Sequence, residues 1–147
     1  MSTLLADTIR KTGGSLGVDI RVKNTSVYES DGGTSVTQNL AQSLCKAWVD
    51  IPADGASLND SFNIGSSTDS GTGDRRVAYT NNMATANYAI TTGVLDASAG
   101  TSFILADISS GTQATTGFDS EVYSGSSSSN RTNLDEESYY MISGDLA

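Results

Sequence analysis

The sequence predicts an all-β protein, an antiparallel β-sandwich with an extended N-terminal segment and a short helix. Ser, Thr and Gly supply 55 of the 147 residues, and Thr favours strands whereas Ser and Gly favour turns. Short segments with the apolar–polar alternation of half-buried strands recur from residue 44 onward. Turn-forming residues separate these segments at the spacing that is typical of a sandwich.

The first part of the chain is predicted to be extended and to depend on other surfaces for its order. Residues 4–10, 17–23 and 26–29 have strand character, most clearly in "GVDIRVK", where apolar and charged residues alternate. The region has too few large side chains for a core of its own. We expect it to pack on the main domain or on another chain.

A short helix is predicted over residues 35–46. The letters "SVTQ" at its start fit a capping box. Val36, Leu40 and Leu44 recur every four residues, which places them in one stripe along a helix. A helix of about three turns is marginal alone in water. The stripe would be buried either in a parallel bundle of copies or against its own domain.

Seven strands are predicted from residue 43 onward, over residues 44–51, 60–67, 74–80, 87–94, 103–109, 117–123 and 138–143, the first of which overlaps the end of the predicted helix. Alternation also predicts the side chains that face the core, and these are Ala47, Val49, Ile51, Phe62, Ile64, Val77, Tyr79, Tyr88, Ile90, Ile104, Val122, Tyr140 and Ile142. A domain of this length with such side chains can bury an adequate core. We therefore divide the chain into residues 1–45, an attachment and oligomerisation segment, and residues 46–147, the sandwich.

A hairpin turn is predicted at "TDSGTGD". Asp69 and Asp74 would cap the turn, and Gly71 and Gly73 would supply positive φ. A calcium loop needs a different order of acidic residues and a closing Glu. The hairpin is therefore interpreted as scaffold.

Composition argues against several functions. The net charge of −9 disfavours a nucleic-acid partner. Because the chain contains no His, it offers no Ser–His or Cys–His pair and no imidazole metal ligand. Cys45 is the single cysteine, so it cannot form an internal disulfide and is expected to be a small buried residue. No cofactor is implied.

Paired carboxylates are the remaining catalytic possibility. Asp119 and Glu121 lie two apart on one predicted strand, and Asp135, Glu136 and Glu137 follow one another. A glycosidase needs two carboxylates that converge in a cleft at a set separation. Solvated acidic faces are the simpler interpretation, and we predict that the chain is not an enzyme.

Charge and targeting signals bear on the neighbours of the chain. Residues 1–46 hold five basic and four acidic residues, and the remainder holds three basic and thirteen acidic ones. This asymmetry suggests two parts with different neighbours, or simply an acidic balance that keeps a β domain soluble. The start lacks the pattern of a secretory signal, and no run is long enough to cross a membrane. We expect a soluble chain made in a cytoplasm, without membrane insertion.

A low-complexity stretch, "SGSSSSNR", is predicted to be a flexible loop tip. The alternative is a contact loop at the exposed end of the sandwich. In that case the contact residues would be Tyr123, Ser126, Ser127, Asn130 and Arg131.

Residues 46–90 resemble a module of structural proteins of tailed bacteriophages, notably cyanophages and other marine phages. The matching motifs are "KAWVDI" and "DSFNIGSSTDSGTGDRRVAYTNNMATANYAI", and the start "MSTLLADTI" also looks like that of such chains. Arg75 and Arg76 stand where the pattern has uncharged residues. The resemblance implies a β-rich virion protein of tail-fibre type, a symmetric oligomer with trimers common, and no catalytic residues.

The first functional hypothesis is therefore a tail-fibre-like virion structural protein, assembled in the host cytoplasm. Residues 1–45 would attach to other virion proteins and form a homotrimer through Val36, Leu40 and Leu44. The sandwich would project from the particle, where it could contact the host surface.

Two alternatives stay open. The short length also fits a decoration or fibre protein on the capsid. A glycan-binding adhesin module is a different class, in which exposed Tyr28, Tyr123 and Tyr139 would stack on sugars of the host surface.

Overall fold

A computed structural model describes residues 27–30, 33–39, 44–95, 103–125 and 131–147. Within these ranges the chain forms eleven strands and no helix, which confirms the all-β class. The strands are β1 (Val27–Ser30), β2 (Gly33–Asn39), β3 (Cys45–Ile51), β4 (Asp60–Phe62), β5 (Ile64–Gly71), β6 (Asp74–Tyr79), β7 (Ala89–Leu95), β8 (Ile104–Ile108), β9 (Gly117–Gly125), β10 (Arg131–Asn133) and β11 (Glu137–Ser143).

The main domain has two antiparallel sheets. Sheet I has the strand order β4-β3-β11-β7, and sheet II has the order β10-β9-β6-β5, with β8 paired to the other edge of β9. The long strand β9 pairs with β6 along its first half and with β10 along its last residues. Strands β1 and β2 form a separate two-stranded hairpin.

The two sheets bury a common apolar core. Phe118 of sheet II and Tyr140 of sheet I lie with ring centroids 5.4 Å apart, and Tyr79 meets Tyr88 edge-on at 5.7 Å. Such tilted and edge-on pairs are the favoured aromatic geometries. The buried apolar residues are Ala47, Val49, Ile51, Ile64, Val77, Tyr79, Met83, Tyr88, Ala106, Phe118, Val122, Tyr140 and Ile142. The arrangement is sandwich-like.

Most of the predicted inward side chains are confirmed. Ile90 and Ile104 are partly buried against the core, and the sequence prediction missed Met83, Ala106 and Phe118. The prediction for Phe62 is wrong, because its side chain is 53% exposed. The remaining ten predicted residues are buried.

The exposure of Phe62 follows from a change of sheet at Asn63. The predicted strand over residues 60–67 is in fact β4 in sheet I and β5 in sheet II. Asn63 between them has φ 58°, a left-handed conformation that Asn tolerates better than most residues. This reversal interrupts the alternation, so Phe62 and Ile64 no longer share an inward face.

The predicted hairpin between β5 and β6 is confirmed. Its turn places Gly73 at φ 74° and Gly71 at φ 142°. Asp69 Oδ1 caps the turn as predicted, because it accepts a hydrogen bond from Gly71 N at 2.9 Å. The Asp74 side chain instead accepts a hydrogen bond from Asn133 Nδ2 of β10 at 3.3 Å. The register pairs Ile64 with Tyr79.

The helix predicted over residues 35–46 is not confirmed. Residues 33–39 belong to strand β2, and Cys45 opens strand β3. Residues 34–37 include Thr, Val and Thr, whose β-branched side chains favour a strand. Val36 therefore lies in a strand, Leu40 lies outside the described residues, and Leu44 is 55% exposed.

Several other predictions concern the ends of the chain. The predicted extended piece at residues 26–29 matches β1, whereas those at 4–10 and 17–23 lie outside the described residues. The domain boundary at residues 45/46 stays a prediction.

In the part of the chain that the structure describes, no helix has the length and apolar character needed to cross a membrane.

Candidate functional site

Two of the predicted contact residues come together at one end of sheet II. Arg131 of β10 places its guanidinium carbon 3.7 Å from the centroid of the Tyr123 ring on β9. The same guanidinium forms an ion pair with Glu121. One face of Tyr123 is therefore covered by a cation, which leaves less of the ring available for stacking on a ligand. The other predicted contact residues, Ser126, Ser127 and Asn130, lie outside the described residues.

The carboxylates considered for catalysis are each held by a neighbouring group. Asp119 accepts two hydrogen bonds from Arg76, at 3.0 and 3.1 Å. These bonds raise the pKa of Arg76. Glu121 is paired with Arg131. Each carboxylate thus has its own cation, and exposed pairs of this kind contribute little to stability.

The consecutive acidic residues near β11 have structural contacts. Asp135 Oδ1 accepts a hydrogen bond from Gly73 N at 2.7 Å, and the backbone carbonyl of Glu136 accepts one from Arg75 at 2.5 Å. Among the residues described, no group of three or more Cys, Asp or Glu side chains could hold a metal ion. Cys45 is half-buried, and its thiol donates to the carbonyl of Ala47 at 3.0 Å.

The outer face of sheet I carries a row of exposed apolar side chains. Strand pairing places Phe62 opposite Trp48, and Trp48 opposite Met141. Their exposed fractions are 53%, 36% and 54%. Directly paired residues on one sheet face lie within contact distance of each other, so these three side chains form a continuous apolar row, named the Trp48 row below.

A second row beside it combines an aromatic ring with carboxylates. Asp60 pairs with Asp50, Asp50 with Tyr139, and Tyr139 with Gly93. Tyr139 is 37% exposed, as the sequence predicted. Trp48 and Tyr139 are diagonal neighbours across β3 and β11, which corresponds to about 7–8 Å between their backbones.

A groove of about 380 Å³ lies between these two rows. A Cβ at Gly93 would meet the Tyr139 ring at 3.6 Å. The missing side chain at Gly93 therefore leaves the flank of that ring open. The groove is lined by Trp48, Asp50, Thr91, Thr92, Gly93, Tyr139 and Met141, together with parts of Val49 and Tyr140.

Hydrogen bonds fix the polar groups at the edge of the groove. The Tyr139 hydroxyl donates to Glu137 Oε1 at 2.5 Å. This bond, with partial burial and the negative charges of Glu137 and Asp50, raises the pKa of Tyr139 to about 12. Asp50 Oδ1 accepts a hydrogen bond from Asn59 Nδ2 at 3.2 Å. The groove thus has an apolar floor and an acidic rim.

The sequence contained the signal for part of this site. Trp48 stands between the inward residues Ala47 and Val49, and Met141 stands between Tyr140 and Ile142. Alternation therefore directed both side chains outward. What it could not indicate is that β3 and β11 are neighbours, which brings Trp48 and Tyr139 to one groove.

Comparisons with known proteins found no matching protein-family model, curated protein or solved structure.

Proposed function

We propose that the chain is a tail-fibre-like structural protein of a phage virion, which works by surface contact. The observation that carries this proposal is the exposed Trp48 row, in which three large apolar side chains are direct neighbours on one sheet face. Contiguous exposed apolar side chains on such a domain mark an interaction surface. The resemblance of residues 46–90 to phage structural modules supports the virion setting.

In this proposal residues 1–45 attach the chain to other virion proteins and join three copies. The β1–β2 hairpin supports this role, because it pairs with no other strand in the described part of the chain. An isolated two-stranded hairpin is marginally stable in water. Packing on a second copy or on another virion protein would supply the missing contacts, with the domain of sheets I and II projecting outward.

Multi-angle light scattering tests the assembly role. The full chain is compared with a truncation that begins at Leu44 and so keeps both sheets and the whole apolar core. The proposal predicts a trimeric full chain and a monomeric truncation with an unchanged β-type circular dichroism spectrum. A full chain that stays monomeric at high concentration would contradict trimerisation through residues 1–45.

A glycan-binding adhesin module is the second candidate. It is favoured by the groove in which Trp48 and Tyr139 expose aromatic surface beside Asp50. Binding sites for small ligands commonly combine an apolar, aromatic lining with a few polar groups that fix orientation. The two functions are compatible, because a projecting virion domain can also contact the host surface.

A further inference from the structure

We propose that the groove between Trp48 and Tyr139 is a subsite for one pyranose ring of a neutral or amino-substituted glycan, and that it disfavours acidic sugars. This inference rests on the glycan-binding function proposed above and assigns it to particular residues. It replaces Tyr123, one of the tyrosines suggested by the sequence, with a different aromatic pair.

The aromatic surfaces provide the contact for the sugar ring. A pyranose presents a face of C–H groups, which packs on the negative face of an aromatic ring and removes apolar surface from water. Trp48 and Tyr139 both line the groove. Its volume of about 380 Å³ lies at the small end of the range for ligand sites, about 300–1,000 Å³. The space suits one sugar ring.

Gly93 controls access to this surface. It is paired directly with Tyr139, and its backbone has no positive φ that would require glycine. A larger residue here would lie over the flank of the ring, because a Cβ would already be 3.6 Å from Tyr139. The glycine therefore leaves ligand space that a strand residue would ordinarily fill.

The polar groups at the rim suit sugar hydroxyls. Asp50 is an acceptor, and Thr91 lines the same groove. Hydrogen bonds from sugar hydroxyls to a carboxylate are charge-assisted and therefore stronger than neutral ones. The bond from Tyr139 to Glu137 holds the ring in place before binding, which reduces the ordering cost when a ligand binds.

Charge selects among sugars. Asp50 and Asp60 are directly paired across the strands, and Glu137 lies beside Tyr139. No Lys or Arg is among the described residues that line the groove. A uronic or sialic acid would place a further negative charge near these carboxylates, whereas a protonated amino sugar would gain attraction from them and from the Trp48 ring.

The same charges argue against a second copy of the chain as the occupant. A two-fold contact would use this patch on both partners. Asp50, Asp60 and Glu137 of one copy would then meet the same three carboxylates of the other. Like charges brought together at an interface disfavour association, whereas an uncharged or cationic glycan meets no such repulsion.

Tryptophan fluorescence of the full chain tests the inference, because Trp48 is the only tryptophan. The ligands are tetrasaccharides of glucose, N-acetylglucosamine, glucosamine and galacturonic acid. We expect a saturable change in emission with at least one of the first three, and affinity for the galacturonic acid oligomer lower by about tenfold or more. The inference would be overturned if none of the oligomers of glucose, N-acetylglucosamine and glucosamine gave a saturable change in emission. Tighter binding of the galacturonic acid oligomer would also overturn it.

Variants locate the binding. Gly93→Val fills the groove with a residue that suits a strand, and Tyr139→Ala removes one ring. Both should lower the affinity by about tenfold or more and keep Trp48 as the probe. Tyr123→Ala is the matched control and should leave the affinity unchanged. Circular dichroism checks folding, and unchanged affinity in a folded Gly93→Val variant would overturn the inference.

The groove assignment and the proposed virion role can fail independently of each other. If the oligosaccharides do not bind but light scattering finds the trimer, the groove assignment fails and the structural role of the chain stands. If they bind with the expected selectivity and the chain is not a virion component, the groove assignment stands and the virion role fails.

Discussion

The side chain of Asn63 forms hydrogen bonds with both the backbone N–H and the backbone carbonyl of Asn81. Its Oδ1 accepts from Asn81 N at 2.8 Å, and its Nδ2 donates to the Asn81 carbonyl at 3.2 Å. The same Nδ2 donates to the carbonyl of Lys46 in sheet I at 3.2 Å. Asn63 thus ties the end of β6 to the start of β3 at the point where the chain changes sheet.

Replacement of Asn63 should destabilise the fold through two separable effects. Asn63→Ala keeps a Cβ at this left-handed φ but loses the side-chain hydrogen bonds, which should cost about 1–2 kcal/mol. Asn63→Gly loses the same bonds but adopts the φ without steric strain, so it should be the less destabilised of the two. Urea denaturation measures both, and equal stability of Asn63→Ala and wild type would contradict the role of the side chain.

The β5–β6 turn should require glycine at position 73 chiefly because there is no space for a Cβ, and less because of its positive φ. A Cβ at Gly73 would lie 2.3 Å from the carbonyl oxygen of Val122, whereas Gly111 has nearly the same φ and open space around it. Gly111→Ala should therefore cost only about 1–2 kcal/mol, the left-handed term. Gly73→Ala should cost clearly more, because the backbone must shift. Similar losses in urea denaturation would show that the close approach to Val122 has no role.

Arg75 and Arg76 are adjacent but should behave differently on mutation. Arg75 is 2% exposed and donates to the Glu136 carbonyl across the domain, whereas Arg76 lies on the outer face in an exposed pair with Asp119. Arg75→Ala should lower the free energy of unfolding by about 2–4 kcal/mol through lost packing and a lost hydrogen bond. Arg76→Ala should change it by less than about 1 kcal/mol. The reverse order in thermal or urea unfolding would contradict the inward placement of Arg75.

Tyr139 should ionise at a higher pH than an ordinary tyrosine does. Its pKa is about 12, raised chiefly by the hydrogen bond to Glu137, against an ordinary value of 10.0. Since the folded value is the higher one, this contribution to stability is present below pH 10 and is lost as pH rises towards 12. The difference in tyrosinate absorbance between wild type and Tyr139→Phe isolates this group. In Glu137→Gln the titration should move towards 10, and an unchanged midpoint would contradict the pairing.

Alternation predicted most of the core because the strands β3, β6, β9 and β11 keep one face buried. Where the backbone departs from a regular strand, the alternation of apolar and polar residues no longer predicts which side chains face the core. Asn63 is such a place, since a left-handed Asn looks like any other polar residue in the sequence. The alternation of residues 60–67 therefore predicts an inward Phe62, although its side chain lies on the outer face beside Trp48.

The helix prediction shows a second ambiguity. Val36 and Leu40 are four residues apart, and a spacing of four places side chains on one face of a helix and equally on one face of a strand. The β-branched residues of 34–37 favoured the strand. The candidate groove could be predicted only in part, because outward residues are visible in the sequence but the adjacency of β3 and β11 is not.

Immunogold labelling of intact phage particles tests the central proposal most directly. The antibody is raised against the truncation that begins at Leu44 and is applied to particles of the phage whose genome encodes the chain. The proposal predicts gold at the tail fibres. Label over the head would instead support the capsid-decoration alternative, and unlabelled particles from a lysate that contains the protein would contradict a virion role.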